Sequence, residues 1–89
     1  MNEFNRIKSE EFSEIGLLLL AVMDNNDLTF EQLANAMDIS KAALRISCQK
    51  QGNPGQRIIP KLAEILDCTE GEIRRMIREN QLEQMHEHN

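Results

Sequence analysis

The chain has 89 residues, enough for one small domain but too few for a large multi-step enzyme. Aromatic residues are scarce, whereas leucine, isoleucine, methionine, alanine, glutamate and glutamine are abundant, a composition that favours helices over sheets. The formal net charge of −5 argues against a protein that coats nucleic acid non-specifically, since such binding depends on a surplus of lysine and arginine.

Residues 1–8 are expected to form an arm ahead of the first helix. The opening MNEFNRIKSEEF lacks the basic-then-apolar layout of a secretion signal, and the apolar run 17–23 is too short to span a bilayer. Cys48 and Cys68 are the only cysteines, and their spacing matches no metal site, so we interpret both as small apolar residues. Two unpaired thiols without an export signal predict a cytoplasmic protein that does not contact a membrane.

The first helix is predicted to begin after Ser9. A serine can cap a helix, and Glu10 and Glu11 would then place negative charge at the positive end of the helix dipole. The helix should end at DNND, residues 24–27, which is a turn-forming cluster. The residues expected to face the core are Ile15, Leu19 and Val22.

The next segment predicts two helices joined by a tight turn. The second helix should begin at Thr29, because Gln32 completes a capping box. Asp38 follows in the turn, where its short side chain tolerates a left-handed backbone. Ser40 caps the third helix, which must end by residues 52–54, Gly-Asn-Pro. Residues 29–51 therefore have the pattern of a helix-turn-helix, with its second helix at 41–51.

Two further helices are predicted after this loop. The fourth should begin near Ile59 or Pro60 and end by Leu66, because proline is tolerated only in the first turn of a helix. Thr69 with Glu72 forms another capping box and opens a fifth helix. The apolar positions of this last helix are Ile73, Met76 and Ile77.

Five short helices with short linkers predict an all-α protein that folds as a compact five-helix bundle. The domain is expected to span residues 9–79, with a frayed tail at 80–89. In that tail, His86 and His88 lie near Glu83 and Glu87, but no folded core would hold them as metal ligands. The chain also shows no nucleophile–base pair and no phosphate-binding loop, so we predict neither an enzyme, nor a metal site, nor a cofactor.

Residues 28–73 resemble, without a gap, the helix-turn-helix domain of the phage-repressor and Cro-like family of bacteria, the xenobiotic-response-element type. With Ile15-Gly16 the resemblance covers about two thirds of the chain. The resemblance implies a lambda-repressor-like domain of five helices that binds double-stranded DNA as a homodimer, with its third helix in the major groove. The matching positions are Leu28-Thr29, Leu33-Ala34, Ile39-Ser40, Leu44, Asn53-Pro54, Leu62-Ala63 and Leu66.

The same resemblance implies two sets of DNA contacts. Arginine and lysine can donate to guanine edges, and alanine and isoleucine can contact thymine methyl groups. The alternative for Lys41 and Arg45 is a solvated pair on an exposed helix. The positions that resemble base-reading ones are Lys41, Ala42, Arg45, Ile46 and Gln49. The positions that resemble phosphate contacts are Ser40, Lys50, Arg57 and Lys61.

Four positions depart from the family pattern. Phe30 stands where the family has a phosphate-contacting glutamine, and we interpret it as a core residue packed on the first helix. Met23 and Cys48 replace an ion pair between the first and third helices, a change that apolar packing tolerates. Ser47 stands at a core position. Either its hydroxyl bonds to the carbonyl of Ala43, or the third helix rotates and buries Ile46 instead.

The run GLLLLAVM, residues 16–23, is apolar around the whole circumference of the first helix. Leu17, Leu18 and Leu20 are therefore surplus to the core and need a cover. Phe4 and Ile7 of the arm, or Met76, Ile77 and Met85 of the last helix, could provide it within one chain. A partner could do the same, and the C-terminal helix is the expected dimer element.

Two functions are open from the sequence. The first is a sequence-specific DNA-binding transcriptional regulator, repressor-like, of bacterial or phage type. The second is a protein-binding module, antirepressor-like or antitoxin-like, that has lost its DNA contacts. The acidic net charge, Phe30 and the surplus leucines favour the second function, whereas the bases between residues 41 and 61 favour the first.

Overall fold

The computed structural model describes residues 9–87, and this part of the chain contains five α-helices and no β-strand. The predicted all-α, five-helix class is confirmed, whereas the predicted arm at 1–8 lies outside the described residues. None of the described helices has the length and apolar content to cross a membrane. After a 3₁₀ turn at Ser9–Glu11, the helices are α1 Glu14–Asn26, α2 Phe30–Ala36, α3 Lys41–Cys48, α4 Ile59–Ile65 and α5 Glu70–Glu87.

The start of α1 is set by Ser13, so the predicted cap at Ser9 is wrong. The Ser13 hydroxyl accepts the Gly16 amide at 3.1 Å and donates to the Cys48 carbonyl at 3.2 Å. The preceding residue, Phe12, is buried and pairs with Gln49 in an isolated antiparallel bridge. This pairing holds the chain extended ahead of residue 14, so α1 cannot begin earlier.

The buried side of α1 packs closely against the end of α3. Ile15 and Leu19 are buried as predicted, whereas Val22 is only half-buried and Met23 fills the core position beside it. Gly16 lies directly against the Cys48 carbonyl, and a Cβ atom there would collide with that backbone. The absence of a side chain at this point therefore permits the close approach of the two helices.

The capping residues of α2 and α3 are the predicted ones. Thr29 and Gln32 form both bonds of the capping box, at 2.8 and 3.1 Å. Asp38 has a left-handed backbone with φ 55°, and the Ser40 hydroxyl accepts the Ala43 amide at 3.0 Å. The backbone therefore turns sharply between α2 and α3, as the local sequence indicates.

Helix α3 ends at Cys48, so its predicted extension to residue 51 is wrong. Gln49 has an extended backbone and pairs with Phe12, and the Lys50 amide donates to the Glu11 carbonyl at 2.8 Å. These bonds draw the chain out of helical geometry before Gly52 is reached. The contacts that Glu11 and Phe12 make with Lys50 and Gln49 therefore terminate α3.

Helix α4 carries Pro60 in its first turn, as predicted, whereas α5 is longer than predicted. The capping box of α5 is formed by Thr69 and Glu72. The backbone amide of each residue donates to the side chain of the other. The helix continues to residue 87, so the expected frayed tail from residue 80 is wrong over 80–87. Asn80 is buried and donates to the Lys50 carbonyl at 3.0 Å, which ties the second half of α5 to the loop after α3.

Candidate nucleic-acid interface

The orientation of α3 is set by two neighbouring residues. Ser47 is 1 % exposed, and its hydroxyl donates to the Ala43 carbonyl at 2.8 Å, whereas Ile46 is 51 % exposed. Leu44 and Cys48 are buried on the same side as Ser47. The helix has not rotated to bury Ile46, so its outward face is the one that the family register implies.

Four of the five base-reading candidates lie on one helix and reach its accessible side. Lys41, Ala42 and Ile46 are exposed, and Arg45 is half-buried. Helix α3 contains these two cations and no acidic residue. Gln49 lies beyond the helix end in extended backbone, so the structure separates it from the other four candidates.

Three phosphate-contact candidates line one groove of about 540 Å³ at the start of α3. Ser40 caps the helix there, and Arg57 is exposed in the loop before α4. Lys61 is engaged within the protein, since its ammonium group donates to the Asp38 carbonyl at 3.1 Å and lies 3.7 Å from the Asp38 carboxylate. Lys61 therefore holds the turn between α2 and α3, and the Asp38 carboxylate, which lines the same groove, offsets its charge.

Lys50 and Gln49 lie in different surroundings from the other candidates. They line a cavity of about 440 Å³ together with Glu10 and Glu11. Two carboxylates beside Lys50 oppose the approach of a phosphate, because like charges repel. The nine candidates are therefore divided, with seven at α3 and its flanking groove and two beside the acidic N-terminal turn.

Asn80 contributes to this region and was missed in the sequence. Besides its bond to Lys50, its amide lies 3.4 Å from the Asn53 side-chain oxygen, so it orders the loop that follows α3. It lies seven residues after the buried Ile73, on the same face of α5. That spacing was the available signal, but a polar side chain in a polar segment gave no reason to expect burial.

The apolar departures from the family pattern lie in the core. Phe30 is buried, as predicted for a core residue. Met23 and Cys48 are buried too, so apolar packing occupies the position of the family's ion pair. Burial raises the pKa of the Cys48 thiol from 9.0 to about 12. This thiol is therefore protonated near neutral pH and behaves as an apolar group.

The surplus leucines of α1 are only partly covered. Leu20 packs against the core, whereas Leu17 is 52 % exposed and Leu18 is also exposed. Met76 lies in the core, Ile77 lies at its margin, and Met85 is exposed. Contrary to the expectation, these α5 residues leave Leu17 and Leu18 uncovered. The other expected covers, Phe4 and Ile7, lie outside the described residues.

Within residues 9–87, no group of three or more histidine, cysteine, aspartate or glutamate side chains could hold a metal ion. His88, which the sequence placed in a possible ligand set, lies outside that range. Comparison of the chain with protein-family models, with curated proteins and with solved structures returned no match.

Proposed function

We propose that the protein is a sequence-specific, double-stranded DNA-binding transcriptional regulator, repressor-like and of bacterial or phage type, which binds as a homodimer. The observation that carries this proposal is the exposed side of α3. It has two cations and no acid, in a chain whose net charge is −5. An α-helix fits the major groove, and arginine and lysine donate to guanine edges there.

The surroundings of α3 support the same proposal. Helix α2, the left-handed turn at Asp38 and α3 follow one another as in a helix-turn-helix, and Lys61 braces the turn. Ser40 and Arg57 flank the start of α3, where phosphates would lie if the helix entered the groove. In a symmetric dimer the two copies of α3 would be about 34 Å apart.

The first test selects genomic DNA fragments bound by the full chain at low salt, and then titrates salt on an enriched fragment. We expect affinity to fall steeply as salt rises, because bound phosphates release counterions. Lys41→Ala/Arg45→Ala should weaken binding at least about ten-fold. The matched control, Arg74→Ala/Arg78→Ala, removes the same charge from α5 and should change affinity little.

Two results would reject DNA recognition by α3. One is the failure to enrich any fragment. The other is an equal loss of affinity in the two double variants, which would show that only the total charge matters.

A protein-binding module, antirepressor-like or antitoxin-like, is the second candidate. The exposed apolar side chains of Ile46, Leu17 and Leu18 favour it, as do the carboxylates beside Lys50. Apolar contacts depend little on ionic strength, so binding of such a partner should persist at a salt concentration that abolishes DNA binding. That difference separates the two candidates.

A further inference from the structure

We propose that α3 recognises the C5-methyl groups of pyrimidines, those of thymine and 5-methylcytosine, through Ala42 and Ile46. This inference rests on the DNA-binding function proposed above and specifies what the helix reads.

Ala42 and Ile46 form the outermost ridge of α3. Successive residues of an α-helix are rotated by about 100°, so two residues four apart lie on one face. Leu44, Ser47 and Cys48 define the buried side, and Ala42 and Ile46 are exposed on the opposite side. Lys41 and Arg45 lie to one side of this ridge. A surface that meets α3 head-on therefore contacts the apolar ridge first and the cations only at one flank.

The chemistry of the major groove selects what this ridge can meet. The base edges there are hydrogen-bond donors and acceptors, except for the C5-methyl group of thymine. Apolar side chains pressed against polar edges would displace water and leave those edges unpaired, which costs free energy. A methyl group has no bond to lose and gains apolar contact. The methyl group of 5-methylcytosine is attached at the same ring position and has the same property.

The Ile46 side chain is also held in place before any ligand binds. Leu44 and Cys48 on the opposite side of α3 are fully buried, so the helix cannot rotate without exposing them. The chain then turns back over the helix end at Gly52, where a Cβ atom would collide with the Ile46 carbonyl and crowd its Cγ2 methyl. This backbone braces one side of Ile46, and fixing a side chain in advance lowers the entropic cost of binding.

The test compares one enriched fragment amplified with dTTP and with dUTP, which differ only in the C5-methyl groups. Wild type should bind the uracil form about three- to five-fold more weakly for each methyl group in contact. Ile46→Ala should bind the two forms with a smaller difference in affinity, because only the share read by Ala42 remains. Leu17→Ala removes an equally exposed leucine on α1 and should keep the wild-type ratio, so it serves as the matched control.

A second arm uses synthetic duplexes in which single T·A pairs are changed in turn. At the pair where uracil weakens binding most, a 5-methylcytosine·guanine pair should bind about three-fold better than cytosine·guanine. Ile46→Ala should reduce this difference as well.

Equal affinity of wild type for the thymine and uracil forms overturns the inference while leaving DNA binding intact. An equal uracil penalty in wild type and in Ile46→Ala also overturns it, because the methyl groups then act through DNA shape. If no fragment is enriched at all, the proposed function fails and the methyl-reading inference fails with it.

Discussion

Ser47 and Ile46 are neighbours on α3, yet the polar residue is buried and the apolar residue is exposed. Burial of Ser47 is tolerated because its hydroxyl finds an acceptor one turn back, at the Ala43 carbonyl. Rotation of α3 to bury Ile46 would expose Leu44 or Cys48, which are both fully buried. The cost of exposing either apolar residue therefore outweighs the gain from burying Ile46.

Ser47→Ala is expected to leave stability unchanged or to raise the free energy of unfolding by up to about 0.5 kcal/mol, since alanine is the better helix former and leaves no buried group unpaired. Leu44→Ala should lower it by about 2–5 kcal/mol, because it opens a cavity in the same helix. Urea unfolding monitored by circular dichroism measures both changes. A loss above about 1 kcal/mol for Ser47→Ala would contradict a purely local role for its hydroxyl.

The stability of the protein should fall at alkaline pH because of Cys48. Burial raises the pKa of this thiol from 9.0 to about 12, so the folded chain keeps a proton that the unfolded chain releases. Its contribution is complete below pH 9 and is lost as pH rises towards 12, with a slope of at most about 1.4 kcal/mol per pH unit. Urea unfolding between about pH 8 and pH 10.5 measures the slope.

Cys48→Ala should flatten this dependence. Cys68→Ala is the matched control. Desolvation, and then the charges of Glu72 and Asp67, also raise the pKa of Cys68. Its side chain is only half-buried, so Cys68→Ala should change the slope less than Cys48→Ala does. A slope in Cys48→Ala as steep as that of wild type would assign the pH dependence to other groups.

At the scale of elements, helix boundaries divide into locally and distantly determined ones. The caps at Thr29, Ser40 and Thr69 bond to residues three positions ahead, so a short stretch of sequence contains all their partners. The start of α1 and the end of α3 depend on bonds between residues 11–13 and residues 48–50. Partners so far apart are invisible to any local pattern.

Ser13→Ala is expected to lower the free energy of unfolding by about 1–2 kcal/mol, because it removes the α1 cap and a bond to α3. Ser9→Ala should have little effect, since α1 begins after residue 13. Thermal and urea unfolding of the two variants compare these sites. A larger loss of stability in Ser9→Ala than in Ser13→Ala would support a start of α1 after Ser9, as the local sequence predicts.

Asn80→Ala is expected to lower the free energy of unfolding by about 1–3 kcal/mol, because it leaves the partly buried Lys50 carbonyl without its side-chain donor. Gln81→Ala, at the exposed neighbouring position, should change stability by less than about 0.5 kcal/mol. Hydrogen exchange should also show faster exchange in the loop at residues 50–53 of Asn80→Ala. Equal stability of the two variants would contradict the anchoring role of Asn80.

At the scale of the whole molecule, exposed apolar surface remains on two described helices besides α3. Leu17 and Leu18 are exposed on α1, and Leu82 and Met85 are exposed on α5, away from the buried face that contains Ile73 and Asn80. Exposed apolar groups of this kind favour association with a partner. The second half of α5 is fully helical, so it offers a rigid surface for the proposed homodimer.

Leu82→Lys/Met85→Lys should therefore shift the protein towards the monomer in analytical ultracentrifugation and weaken operator binding at least about ten-fold, since the two half-sites would no longer be bound together. Leu17→Lys/Leu18→Lys adds the same charge on α1 and should leave the dimer intact. If only the α1 variant dissociates the dimer, the dimer interface lies on α1.

The sequence by itself determined the helical class, the caps of α2, α3 and α5, the left-handed turn at Asp38 and the burial of Phe30, because these features depend on local bonding and on apolar periodicity. Of the candidate site, it placed Lys41, Ala42, Arg45 and Ile46 together, since they share one short helix. Only the tertiary structure decided which side of α3 faces outward and that Lys50 and Gln49 lie beside acidic residues. Those outcomes depend on contacts between segments thirty or more residues apart, whose combined burial outweighs local preference.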